Sequence, residues 1–112
     1  TGPAPFYKEL GKKFGPIDLG FGNLGAYNFY PLVPVKDKST AHANPEELLS
    51  LMKDLKVKKV IGMHWGTAIL SLEPIWEPPV RFKENAESFG YKKEEAIIFK
   101  IGEIKRLEDL IN

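Results

Sequence analysis

The chain has 112 residues, enough for one small domain built around a single core. Its 16 basic and 15 acidic side chains leave a net charge of +1, and the basic ones fall in scattered pairs (Lys12 and Lys13, Lys58 and Lys59, Lys92 and Lys93), so no nucleic-acid partner is expected. No apolar run approaches the roughly 18 residues of a membrane span, and the absence of cysteine removes disulfides and thiolate zinc sites, leaving His, Asp and Glu to hold any metal. A reducing cytoplasm fits this composition, with at most peripheral contact with a membrane surface.

From Pro5 to Phe14 the apolar residues Phe6, Leu10 and Phe14 recur every four positions opposite Lys8, Glu9, Lys12 and Lys13, which predicts an amphipathic helix that Gly15 and Pro16 stop. Residues Ile17 to Leu24 read as a buried strand whose Gly20 and Gly22 admit a close neighbouring backbone. Tyr27 to Thr40 mixes aromatics, prolines and charges as an irregular loop over a cleft would. A helix then opens with Asn44 as N-cap, Pro45 in the first helical position and Glu47 three residues after the cap. Its buried face is Leu48, Met52 and Leu55, flanked by Leu49 and Leu51, and Glu46 and Glu47 read as first-turn charges that complement the helix dipole.

The run Val60 to Trp65 reads as a strand covered on both faces, with His64 at its carboxyl end. A Pro-rich link (Pro74, Pro78, Pro79) leads to a short helical segment from Glu84 to Phe89, closed by Gly90. Ala96 to Ile101 reads as a further strand, and Ile104 to Ile111 as a strand or a terminal helical turn. This order belongs to an α/β layered fold.

The two histidines carry the chemistry on offer. His64, beside the small residues Gly66 and Thr67, sits where strand ends gather ligands in layered folds. A lone histidine there is also the ordinary picture of a side chain satisfied by hydrogen bonds. His42 lies two residues before the N-cap, where helix amides favour an anion. An ordinary exposed loop residue would occupy the same place.

Several segments in order resemble the N-acylphosphatidylethanolamine-hydrolysing phospholipase D branch of the metallo-β-lactamase superfamily. They are Thr1-Gly2-Pro3-Ala4-Pro5-Phe6, Gly11 to Leu19, Gly25-Ala26-Tyr27, His42-Ala43-Asn44-Pro45-Glu46-Glu47, Met63-His64-Trp65-Gly66-Thr67 and Glu77-Pro78-Pro79-Val80. The resemblance implies that residues 1–112 are a single partial domain, the carboxy-terminal half of an αββα sandwich, with a mixed sheet and helices on one face. It implies a zinc-dependent phosphodiesterase, with two zinc ions and a metal-bridging hydroxide acting on a phosphodiester or phospholipid-like substrate. His64 matches a zinc ligand, and His42 matches a loop histidine that binds or stabilises substrate. Tyr27, Trp65, Thr67 and Thr1 are the candidates to contact substrate or support the ligands.

The family's His-x-His-x-Asp-His motif is not in this sequence, and the aspartate of its Gly-Asp-Thr-Gly turn would fall just before Thr1. Gly22-Asn23-Leu24 stands where the family has an apolar Pro-Ile before Gly-Ala-Tyr. The expectation is a chain that is inactive alone and that pairs with an amino-terminal half, or with itself, through an inner sheet face. A non-enzymatic interaction or oligomerisation module is the alternative. The Tyr27 to Tyr30 loop, docking on lipid, is a third.

Overall fold

The computed structural model describes residues 2–34 and 42–112; Thr1 and the later part of the Tyr27–Thr40 loop lie outside the described residues. The elements run α1 (Phe6–Phe14), β1 (Ile17–Asn23), α2 (Pro45–Asp54), β2 (Val57–Met63), α3 (Glu77–Asn85), a 3-10 turn at Glu87–Phe89, β3 (Ala96–Ile98) and α4 (Leu107–Ile111). The three strands form one sheet in the order β1-β2-β3. Both pairings are parallel, with Phe21 opposite Ile61 and Ile61 opposite Ile97. The expected mixed sheet is therefore corrected, among the described residues, to a parallel one. The reason is connectivity: α2 links β1 to β2 and α3 links β2 to β3, and a helical crossover returns the chain in the same direction.

The α2 reading holds in detail. Asn44 has extended backbone angles, and its side chain accepts a hydrogen bond from the Glu47 amide at 2.8 Å, while Pro45 occupies the first turn, where its missing N–H costs nothing. Leu48, Leu49, Leu51 and Met52 are all buried, and Leu55 packs at the margin of the core. α2 lies on β1 because Gly20 and Gly22 have no side chains: a Cβ at either would strike Met52 or Leu48. These glycines thus admit side chains of a helix and not a neighbouring backbone. Val60, Phe82, Ala86, Tyr91 and Ala96 complete the same core, each large buried side chain contributing roughly 1.5–3 kcal/mol. The Tyr91 hydroxyl is satisfied by the Val57 carbonyl at 3.0 Å.

Other boundaries move. α1 forms as read and ends at Gly15, but Phe6, Leu10 and Phe14 remain 51%, 37% and 62% exposed. The helix meets α2 instead through Gly11, whose missing Cβ lets the backbone approach Asp54 and Leu55. β2 begins at Val57, before the apolar run, and stops at Met63. α3 begins at Glu77, not near Glu84, because Pro78 and Pro79 fall in the first turn, where proline is tolerated. β3 is only three residues long, and the carboxyl end is the helix α4, held where Lys59 Nζ donates to the carbonyls of Leu110 (2.7 Å) and Asn112 (3.1 Å). On the sheet face turned away from α2, Phe21 and Met63 are 57% and 48% exposed.

Candidate functional site

β1 and β2 run side by side to their carboxyl ends, and the amide of Leu24 still bonds the Met63 carbonyl at 3.0 Å beyond the last strand pair. The chain then turns abruptly at His64, which takes a left-handed conformation (φ 63°) rarely adopted by a side-chain-bearing residue. Such a conformation persists only where the surroundings hold it. Here Gly25 supplies the constraint: its α-carbon passes directly over the His64 carbonyl, where a Cβ would collide. The imidazole of His64 is left exposed at the strand end.

The second histidine arrives from the other side of the crossover. Ala43 is fully buried and anchors the chain just before the N-cap, placing His42 at the amino terminus of α2. The rings of His42 and His64 lie 4.8 Å apart, centroid to centroid, tilted by 40°. The side-chain amide of Asn23, the last residue of β1, reaches His42 Nδ1 at 3.1 Å. Burial, with the neighbouring His64 adding, holds the His42 pKa below its ordinary 6.5 and favours the neutral ring.

Beyond His64 the loop from Trp65 to Trp76 folds back over residues 25–28. The Glu73 carboxylate accepts from the Ala26 amide (2.6 Å) and the Asn28 amide (3.1 Å), and the Leu72 amide donates to the Asn28 carbonyl at 2.8 Å. Burial pushes Glu73 up, but hydrogen bonds from Ser71 and from backbone amides, those of Asn28 and Ala26 among them, outweigh it and leave the carboxyl below the ordinary value. Ala26 itself sits at φ 60°, so the clamp holds a strained turn. Loop and turn together enclose a cavity of about 430 Å³ lined by His64, Trp65, Thr67, Ile69, Leu70 and Ile75 among others. Its walls are largely apolar, as in sites that take small organic ligands.

The candidate residues fall into place unequally. His64, Trp65 and Thr67 line the cavity, and His42 stands beside His64 without lining it. Trp65 is also in ring contact with Trp76 at 5.7 Å. Tyr27 is fully buried, its hydroxyl donating to Glu77 and its ring lying 5.0 Å from the Arg81 guanidinium, so it braces the site from behind. Burial and the Glu77 carboxylate drive its phenol pKa far up. Thr1 lies outside the described residues. Glu46, read as a first-turn charge, in addition holds Arg81 through two bonds (3.1 and 2.6 Å) and accepts from Asn85 at 3.1 Å, locking α2 to α3.

Asn23, Gly25 and Glu73 belong to the candidate site and were not singled out for it by the sequence reading. For Asn23 the signal was the departure of Gly22-Asn23-Leu24 from the apolar Pro-Ile that the resemblance implies. As a metal centre the donor set is incomplete. Among the described residues no group of three or more His, Asp or Glu side chains could hold a metal ion, and two imidazoles fall short of the roughly three protein ligands of a catalytic zinc.

No protein-family model matches the chain. Over 51 residues it is 47% identical to the mitochondrial N-acyl-phosphatidylethanolamine-hydrolyzing phospholipase D of Saccharomyces cerevisiae, a match covering 46% of this chain and 11% of that protein. Over 79 residues it is 34% identical to N-acyl-phosphatidylethanolamine-hydrolyzing phospholipase D 1 of Caenorhabditis elegans, covering 70% of this chain and 21% of the relative. In structure it superposes on a metallo hydrolase from the archaeon Ignicoccus hospitalis with a TM-score of 0.56 and 22% identity, covering 88% of this chain and 33% of that one. The chain therefore spans 11% and 21% of the two curated relatives and a third of the solved structure. By sequence it is a relative of the N-acylphosphatidylethanolamine-hydrolysing phospholipases D, and its α/β fold is similar to that of the archaeal metallo hydrolase.

Proposed function

We propose that this chain contributes one zinc ligand, His64, and one substrate-side imidazole, His42, to the active site of a zinc-dependent phosphodiesterase acting on a phospholipid-like substrate. The observation that carries this reading is the meeting of the two rings at 4.8 Å, at the carboxyl end of a parallel strand and the amino terminus of a helix. Zinc, when bound by a complete ligand set, lowers the pKa of a water molecule and polarises a phosphoryl oxygen. His42, next to the helix amides, suits a role of donating a hydrogen bond to a substrate oxygen. Trp65, Thr67 and the apolar cavity walls suit the contact with the rest of the substrate, and Thr1 is retained as a supporting candidate.

Because the chain's own donors are too few for a zinc site, activity is proposed for a larger assembly and not for these residues alone. The exposed Phe21 and Met63 on the sheet face turned from α2 are the proposed contact with further chain, or with a second copy. Among the described residues no helix is long and apolar enough to cross a membrane, so a lipid substrate would be met at a surface. An interaction or oligomerisation module built from the same fold is the second reading, and the same exposed face favours it.

Intact mass, metal content and phosphodiesterase activity, measured on one preparation, separate the two. A heavier complex carrying about two zinc ions and hydrolysing a phosphodiester supports the enzyme. A metal-free, inactive, self-associated chain overturns it in favour of the module.

A further inference from the structure

We propose that Asn23 is the positioning residue of the site, fixing the ring of His42 in the tautomer that presents Nε2–H, so that this histidine acts as a neutral hydrogen-bond donor and not as a base. The inference rests on the proposed function for its catalytic meaning, but its structural content stands on three observations.

The first is the contact itself: the Asn23 side-chain nitrogen lies 3.1 Å from His42 Nδ1. An amide nitrogen donates, and with Nδ1 as its acceptor the proton of a neutral imidazole resides on Nε2. The second is the rigidity of the donor. Asn23 closes β1 and is paired in register with Met63, and Leu24 beyond it is fully buried, so the amide is held by the sheet and not by a loop. The third is the rigidity of the acceptor's base, where fully buried Ala43 and the Asn44 cap fix the backbone after His42.

Held at both ends, the ring has one nitrogen engaged by β1 and stands beside His64, the two ring centroids 4.8 Å apart. A donor prearranged in this way strengthens as negative charge develops on a substrate oxygen, with no reorganisation at the moment of reaction.

The test is the nitrogen-15 spectrum of the His42 ring in this chain, recorded above the pH at which imidazoles protonate. The expected result is an unprotonated Nδ1 and a protonated Nε2 in the wild type, a mixture of tautomers in Asn23→Ala, and reversal to Nδ1–H in Asn23→Asp, whose carboxylate can only accept. A wild-type ring protonated on Nδ1, or an Asn23→Ala spectrum identical to the wild type, overturns the proposal. The wild-type spectrum decides by itself if a variant does not fold.

In an assembled, active phosphodiesterase, Asn23→Asp is expected to lower kcat by roughly a hundredfold with little change in KM, the size of effect seen when one oxyanion donor is lost. An unchanged kcat there overturns the donor role. Should the wild-type assembly hydrolyse no phosphodiester while the tautomer is as expected, the function reading fails and the positioning of His42 by Asn23 stands.

Discussion

His42 and His64 lie on either side of a whole helix and strand in the sequence, yet their rings stand 4.8 Å apart. What joins them is the parallel crossover: β1 and β2 end level with each other, and α2, which links them, starts at the same edge. The consequences of that arrangement can be measured residue by residue.

His64 occupies a left-handed conformation while its side chain is exposed, so its identity costs stability instead of adding it. A left-handed L-residue is disfavoured by roughly 1–2 kcal/mol, and glycine's extra unfolded-state freedom offsets part of the relief. His64→Gly is expected to leave stability unchanged or raise it by up to about 1 kcal/mol, while abolishing zinc binding and turnover in the assembled protein. Denaturant midpoints and metal titration check the two halves; a marked loss of stability would show that the ring supports the fold.

Glu73 is expected to be the residue whose loss most weakens the loop over the cavity. Glu73→Gln replaces one acceptor oxygen with a donor that faces an amide, costing about 1–3 kcal/mol at neutral pH. The sign with pH follows from the depressed carboxyl: its stabilisation is complete above the ordinary value of 4.5 and is lost as pH falls through the lower folded value. Chemical denaturation across that acid range should show a steeper fall for the wild type than for Glu73→Gln, and parallel curves would remove the clamp.

At Gly25 the reason for glycine is space, because a Cβ would meet the His64 carbonyl. Gly25→Ala is expected to destabilise by about 1–3 kcal/mol, as overpacking does. It should also shift the His64 ring resonances, which an equally destabilising change in the distant α1–α2 contact would not.

Asn44→Ala removes the cap bond to the Glu47 amide and should cost about 1 kcal/mol, read as a Tm lower by roughly 4–8 °C. Because His42 hangs from the same turn, its ring resonances should broaden in this variant. Unchanged His42 signals would show that the ring is held from β1 alone.

Much of this architecture was readable along the chain. The signals were local ones: a Ser/Thr/Asn-type cap with proline after it at Asn44 and Pro45, a four-residue apolar spacing, and glycine with proline at a helix end. α1 illustrates the limit, since Phe6, Leu10 and Phe14 have the right spacing for a buried face but stay exposed, and contact passes through Gly11. Periodicity says that a helix has a face, not which neighbour that face meets. α3 illustrates another, because Pro78 and Pro79 punctuate a loop and open a helix equally well.

By itself the sequence determined the α/β order and the α2 cap and named the two histidines as candidates, because each of these depends on residue type and short spacing. Only the tertiary structure decided that the sheet is parallel, that Asn23 addresses His42, that Glu73 clamps the turn over the cavity and that Glu46 binds Arg81. Those are distances between segments remote in sequence, and they are set by how a helix layer packs on a sheet, which no local pattern encodes.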